Sequence, residues 1–244
     1  MKKKIKLFCL PYAGGSACSI YSKWNRDLDV TIELHPVELS GRGLRITENI
    51  YLNVEEAVED VVEKIRDEII DCDYAIFGHS MGSILTYKVL QRINDLKLPS
   101  PIHSFFSGRR APNCKSREPV PHSTMSIIQL EEEIKELGIT PTEFFQNQEI
   151  KNIFMPIIKS DFNIADTFVE KSEMLVLNHD ISIFLGKNED VTTHEANEWM
   201  QYTNKNCSIE YFDGGHFFLL DQTKAVTTYI NDCLTKNCQH ISVS

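Results

Sequence analysis

The stretch Asp73-Tyr-Ala-Ile-Phe-Gly-His-Ser-Met-Gly82 demands a strand, a tight turn and a helix in direct succession. Tyr74 to Phe77 is an apolar run of the length of a buried strand, and apolar residues resume at helical spacing from Ile84. Between them stands Gly78-x-Ser80-x-Gly82. A side chain at either glycine would block so sharp a reversal, so the pattern holds Ser80 exposed on the turn with a helix N-terminus behind it. The pentapeptide alone arises by chance in roughly several per cent of chains of this length; its strand–turn–helix setting makes it specific.

The rest of the chain alternates in the same way. Lys4–Leu10, Val30–His35, Ile102–Phe106, Ile181–Leu185 and Ser208–Phe212 read as further strands. Val54, Ala57, Val58, Val61, Val62, Ile65 and Ile69 share one helical face, with Asn53 and Glu56 placed to cap its start. A last helix is expected from about Gln222 to Leu234, with a loose polar tail beyond Lys236. Strands alternating with helices predict an α/β fold. A mostly parallel sheet is flanked by helices, and ligands bind at the carboxyl ends of its strands.

Residues 113–172 break the alternation. They carry no strand signal, but Ile127, Leu130, Ile134 and Leu137 lie on one helical face that stops at Gly138. A second helix is predicted to open on a capping box at Thr140-Pro141-Thr-Glu143. Five of the thirteen phenylalanines fall between 144 and 168, where they either line a ligand channel or bury themselves on the core. The segment reads as a helical lid, 113–172, inserted into a single domain spanning 1–244.

A net charge of −10, with Lys2-Lys3-Lys4 as the one basic run, argues against nucleic acid. No apolar run reaches the length of a membrane span. Seven cysteines without a C-x-x-C pair suit reduced thiols in a cytoplasmic protein, with neither a metal site nor a disulfide frame. The lysine-flanked first strand offers no self-pairing edge, so a monomer is expected.

A serine hydroxyl needs a general base, and the base needs an orienting acid. Ser80 is the candidate nucleophile. Among eight histidines, His216 stands out, because Asp213-Gly-Gly-His216 follows directly on the last strand and so reaches the same sheet edge. His79, inside the turn, is expected to point away from the reacting face, and His103 to be structural. For the acid, Asp190 lies in Gly186-Lys-Asn-Glu-Asp190 after the penultimate strand, with Glu189 adjacent and in competition. The order Ser80, Asp190, His216 is that of α/β-hydrolases. Backbone N–H groups of Met81 and Ala13 are the candidate oxyanion donors, the second from the loop Pro11-Tyr-Ala-Gly-Gly15.

With these residues in place, the chain resembles the stand-alone type II thioesterases that accompany non-ribosomal peptide and polyketide synthetases. The resemblance is carried by Leu7–Ser16, Gly41-Arg-Gly-Leu-Arg45, Phe77–Gly82 and Ser107-Gly-Arg-Arg-Ala-Pro112. Pro156 to Asp161, Gly186 to Asp190 with Trp199, and Gly214-Gly-His-Phe-Phe-Leu219 complete it. It implies an α/β-hydrolase fold with a helical lid, and hydrolysis of acyl thioesters from the 4′-phosphopantetheine arm of carrier domains, without a cofactor. It carries over Ser80, Asp190 and His216 as the triad. Carrier domains are typically acidic, so Arg42, Arg45, Arg109, Arg110, Lys115 and Arg117 are expected to include residues that steer the carrier or its phosphate. The alternative for Arg109 and Arg110 is an internal brace for the lid. Two other functions stay open: a carboxylesterase acting on small esters, and a non-catalytic carrier-binding protein.

Overall fold

The computed structural model describes residues 4–114, 122–167 and 174–240. The first half runs β1 (Ile5–Leu10), α1 (Ala17–Tyr21), β2 (Ile32–Pro36), α2 (Val54–Ile65), β3 (Tyr74–His79), α3 (Met81–Asp95) and β4 (His103–Ser107). Three helices follow, α4 (Ile127–Glu136), α5 (Thr142–Gln146) and α6 (Gln148–Thr167). The sheet then resumes with β5 (Asp180–Gly186), α7 (Thr193–Asn197) and β6 (Cys207–Phe212), and the chain closes with α8 (Phe218–Asp221) and α9 (Thr223–His240). The six strands lie in the order β2-β1-β3-β4-β5-β6. Every neighbouring pair is parallel.

A parallel sheet covered on both faces has near-continuous apolar strands, and β3 is buried along its whole length. Strand periodicity still sorts the two faces. Phe8 and Leu10 join the layer under α2 and α3, and Leu7 and Cys9 join the layer under α1 and α9. At the start of α2, Asn53 accepts the N–H of Glu56 at 2.9 Å while Glu56 accepts that of Leu52 at 2.8 Å. Ile69 is buried as its spacing predicts, though it lies one turn beyond the end of α2.

Between β4 and β5 the described chain is helical, as the missing strand signal predicts. The expected span 113–172 includes 115–121 and 168–172, which lie outside the described residues. Leu130 and Ile134 of α4 pack on Met155 and Ile158 of α6, and Phe144, Phe145, Phe154 and Phe162 surround them. Gly138 ends α4 at φ +71°, a conformation open to glycine. Three local expectations change. Ile127 is 59% exposed rather than on the packed face. The capping box at Thr140 does not form, because Pro141 takes the N-cap position and offers no side-chain acceptor. Ser126 with Gln129 makes such a box for α4 instead. Finally, α9 runs on to His240, so the stretch after Lys236 continues the helix. Among the described residues no helix is long and apolar enough to cross a membrane.

At the sheet edge remote from the strand C-termini, two buried histidines hold serine hydroxyls. His103 Nε2 lies 2.9 Å from Ser182 Oγ, and His179 Nε2 lies 2.9 Å from Ser104 Oγ. Burial pushes both histidines down to about 4, with the nearby Asp180 carboxylate opposing the shift. An unfolded histidine titrates near 6.5, so the unfolded chain takes up more protons between these values. Their stabilising contribution is therefore complete above pH 6.5 and is lost as the pH falls towards 4. At pH 5 the loss is roughly 2 kcal/mol per histidine. Urea unfolding at pH 7 and pH 5 should show this acid loss shrink by about that amount in His103→Gln and again in His179→Gln. An unchanged acid loss in both variants would contradict it.

Candidate active site

The turn between β3 and α3 is packed backbone against backbone. A Cβ on Gly78 would lie 2.0 Å from the carbonyl oxygen of Gly82, and one on Gly82 would lie 2.5 Å from that of Leu10. Both glycines are therefore obligatory, as the motif predicts. Ser80 between them adopts φ 56° and ψ −114°, which costs about 1–3 kcal/mol. The surroundings hold it there. Ser80 N–H donates to Ser107 O at 2.8 Å, and Ser83 Oγ bridges Gly78 O at 2.8 Å and Ser107 O at 2.7 Å.

His216 follows β6 and reaches the turn from the side. Its Nε2 lies 2.9 Å from Ser80 Oγ, and its Nδ1 lies 2.5 Å from Glu189 Oε1. A carboxylate only accepts, so Nδ1 carries the ring proton and Nε2 is left to accept from the serine hydroxyl. Two inter-loop hydrogen bonds bring the acid to the histidine. Lys187 N–H donates to Phe212 O at 2.9 Å and Asn188 N–H to Gly214 O at 3.0 Å.

The acid facing His216 is thus Glu189, and the expectation of Asp190 is corrected. Glu189 N–H donates to Gly186 O at 3.1 Å, closing a turn that folds residue 189 back over the end of β5. Gly186 N–H then holds the second carboxylate oxygen of Glu189 at 3.0 Å. Asp190 comes after the turn has closed, and it lines the cavity described below. Position in the turn, which depends on how the two loops dock, selects between the adjacent acids.

His79 also departs from expectation. It does not point away from the reacting group but lies under it, with its ring centroid 5.1 Å from that of His216 and its Nδ1 2.8 Å from Ser107 Oγ. Burial, and then the neighbouring His216, push its pKa well below the usual histidine range. A neutral ring here adds no second positive charge beneath His216. His103 is structural, as expected.

Ala13 is the second residue of a turn closed by Gly15 N–H donating to Tyr12 O at 3.0 Å. Ala13 N–H has no acceptor among the described residues. Met81 opens α3, where a helix leaves its first N–H groups unpaired, while its side chain is buried in the core. Ala13 and Ser80 both border a cavity of about 1020 Å³. Its far wall comes from α4–α6 and their connections, including Ile134, Leu137, Phe144, Phe154 and Phe162. These phenylalanines thus pack their own helices together and line the cavity as well. The arrangement can deprotonate Ser80, hold a developing oxyanion on backbone donors, and keep an apolar group beside both.

The four described arginines among those expected to steer a partner make internal contacts. Arg42 is buried against Asp161. Arg45 pairs with Asp60 at 2.8 Å and with Glu48. Arg109 donates to Ala165 O of α6 at 3.0 Å, and Arg110 Nη1 lies 3.6 Å from Glu195. Arg109 therefore matches the bracing alternative. Lys115 and Arg117 lie outside the described residues. Asp161 and the neutral His79 were the site residues that pattern reading missed. Asp161 had a signal in the segment Pro156–Asp161, but nothing local pointed to its contacts.

The geometry separates the two acids experimentally. Labelling of Ser80 by a fluorophosphonate should slow by about 100-fold or more in Glu189→Gln. In Asp190→Asn it should stay within about threefold of the unaltered chain. The opposite ranking would restore Asp190 as the partner of His216.

Comparison with known proteins agrees with this geometry. The family model described as "Thioesterase domain" matches residues 5–234. A human medium-chain S-acyl fatty acid synthase thioesterase is 31% identical over 233 residues, covering 94% of this chain and 87% of the relative. The gramicidin S biosynthesis protein GrsT of Aneurinibacillus migulanus is 32% identical over 221 residues, covering 89% of this chain and 84% of that one. Among solved structures, ClbQ from the colibactin NRPS/PKS pathway superimposes with a TM-score of 0.89 at 35% identity, over 96% of this chain and 98% of its own. With a six-stranded parallel sheet, a serine on a glycine-forced turn and a match along nearly its whole length, this chain belongs to the thioesterase domain family.

Proposed function

We propose that this thioesterase hydrolyses acyl thioesters from the phosphopantetheine arm of carrier domains, clearing or releasing acyl groups beside a peptide or polyketide synthetase. The observation that carries it is the hydrogen-bonded series Ser80–His216–Glu189 opening on an apolar-walled cavity of about 1020 Å³. That volume accommodates an acyl chain together with the end of a pantetheine arm. The similarity to GrsT and to ClbQ supports the synthetase setting.

In this reading Ser80 Oγ attacks the thioester carbonyl carbon while His216 Nε2 takes the hydroxyl proton. Glu189 keeps the imidazolium oriented and stabilised. The carbonyl oxygen becomes an oxyanion between Ala13 N–H and Met81 N–H. Collapse breaks the C–S bond, and His216 returns its proton to the departing thiolate. Water, deprotonated by His216, then releases the acyl group as a carboxylic acid and restores Ser80. A thiolate leaves readily, so the protein chiefly supplies a nucleophile and a place for the negative charge. Helices α4–α6 serve as the lid. A monomer acting in the cytoplasm, with an acidic carrier as partner and no cofactor, completes the reading.

The human relative is named for medium-chain S-acyl groups of a fatty acid synthase, which makes fatty-acyl release the second reading. Both are tested by hydrolysis of acetyl, aminoacyl and medium-chain groups from a carrier domain, against the same groups on free pantetheine and on an oxygen ester. Faster turnover on the carrier across several acyl groups is expected of an editing enzyme. A sharp preference for medium chains would favour the second reading, and equal turnover on small esters would favour a general esterase. In every arm Ser80→Ala should abolish hydrolysis, by about 10³-fold or more, with little change in thermal stability.

A further inference from the structure

We propose that Asp161, on α6, is a positioning residue for the turn that presents Ala13 N–H to the oxyanion. The proposal rests on the roles given to Ser80, His216 and Ala13 above. The turn Tyr12–Gly15 has one internal hydrogen bond and two consecutive glycines, Gly14 at φ +76°. Such a segment has little conformational preference of its own. What holds it comes from elsewhere in the chain. Gly14 N–H donates to Asp161 Oδ2 at 2.7 Å, and Arg42 Nη1 reaches Gly15 O at 3.4 Å. The Ala13–Gly14 and Gly15–Ser16 peptide groups are therefore both tied to a single buried ion pair.

That pair is bidentate. Arg42 Nη1 lies 2.5 Å from Asp161 Oδ2, and Nη2 lies 2.8 Å from Oδ1. The Asp161 side chain is wholly buried and that of Arg42 is 3% exposed. The geometry suits positioning without penalty. A lone buried carboxylate near a forming oxyanion would repel it, and the guanidinium cancels that charge while leaving an oxygen to accept from Gly14. Rotation of the Ala13–Gly14 peptide would turn a carbonyl oxygen towards the carboxylate, so the arrangement also excludes the flipped turn. Ile158, one helical turn before Asp161, packs on Gly14: a Cβ there would lie 3.0 Å from Ile158 Cγ1. The helix that walls the acyl cavity with Phe154 and Phe162 thus also sets the oxyanion turn.

If the ion pair only staples α6 to the domain, removing it costs stability and leaves the chemistry intact. Two double variants separate the roles. Arg42→Met with Asp161→Leu deletes both charges and the acceptor, whereas Arg42→Met with Asp161→Asn deletes the charges but keeps an oxygen for Gly14 N–H. On a carrier-bound thioester, the leucine variant should lose about 10- to 100-fold in kcat with KM moved less than about threefold. It should lose the same factor in affinity for an alkyl boronic acid, whose tetrahedral Ser80 adduct places an oxygen in the oxyanion site. The asparagine variant should recover most of both losses at a similar melting temperature. Equal losses in the two variants, or a loss confined to KM, would overturn the proposal. Should the leucine variant not fold, amide exchange in the unaltered protein decides it. Gly14 is then expected to exchange far more slowly than Ala13, and rapid exchange at both would overturn the assignment. Ser80→Ala run alongside keeps the readings apart, because hydrolysis retained there removes the serine mechanism itself, whatever Asp161 does.

Discussion

Everything at this site depends on the contact between the backbones of β1, β3 and α3. Two glycines let the carbonyl of Gly82 and the strand end at Gly78 meet, and let Leu10 O come within reach of Gly82. This contact places the first turn of α3 beside the loop leaving β1. It also forces Ser80 into a conformation that an isolated chain would leave at once, and the hydrogen bonds of Ser83 and Ser107 stabilise it there. The strain is local, and what offsets it is spread over three strands.

The second organising interaction is the buried Arg42–Asp161 pair, which joins the loop after β2 to the helical segment before β5. A buried ion pair is weak evidence for stability, since desolvation cancels much of the attraction. Its value here is geometric. Glu38, from the same loop as Arg42, accepts the Ser16 hydroxyl at 2.6 Å and the N–H of Ala17 at 3.1 Å. The glycine loop is thereby held by side chains brought from two other parts of the chain. One consequence concerns charge. A chain of net charge −10 commits Arg42 and Arg45 to internal carboxylates and Arg109 to a helix carbonyl. Counting basic residues in loops therefore overstates the positive surface open to an acidic partner.

The strands, the cap at Asn53 and the stop at Gly138 were legible because each follows from spacing or from steric freedom within a few residues. The same holds for Ser80 and its glycines. His216 was legible one step further, since a histidine just past the last strand of a parallel sheet must lie near the other strand ends. The capping box at Thr140 failed although its letters were right, because the chain starts the helix one residue later. Asp190 failed for a similar reason. Two adjacent acids differ by one position, and which of them faces the histidine depends on a turn zipped to a second loop.

By itself, then, the sequence determined the alternating architecture, Ser80 and its strained turn, the histidine that meets it, and the interruption of the sheet by helices. These depend on periodicity, on glycine sterics and on chain order, all of which act over short distances. The tertiary structure alone decided that Glu189 faces His216, that His79 lies neutral beneath His216, and that Asp161 reaches Gly14 across 147 positions. Those are contacts between side chains and backbone groups brought together by packing, and no local rule of spacing encodes which of them will meet.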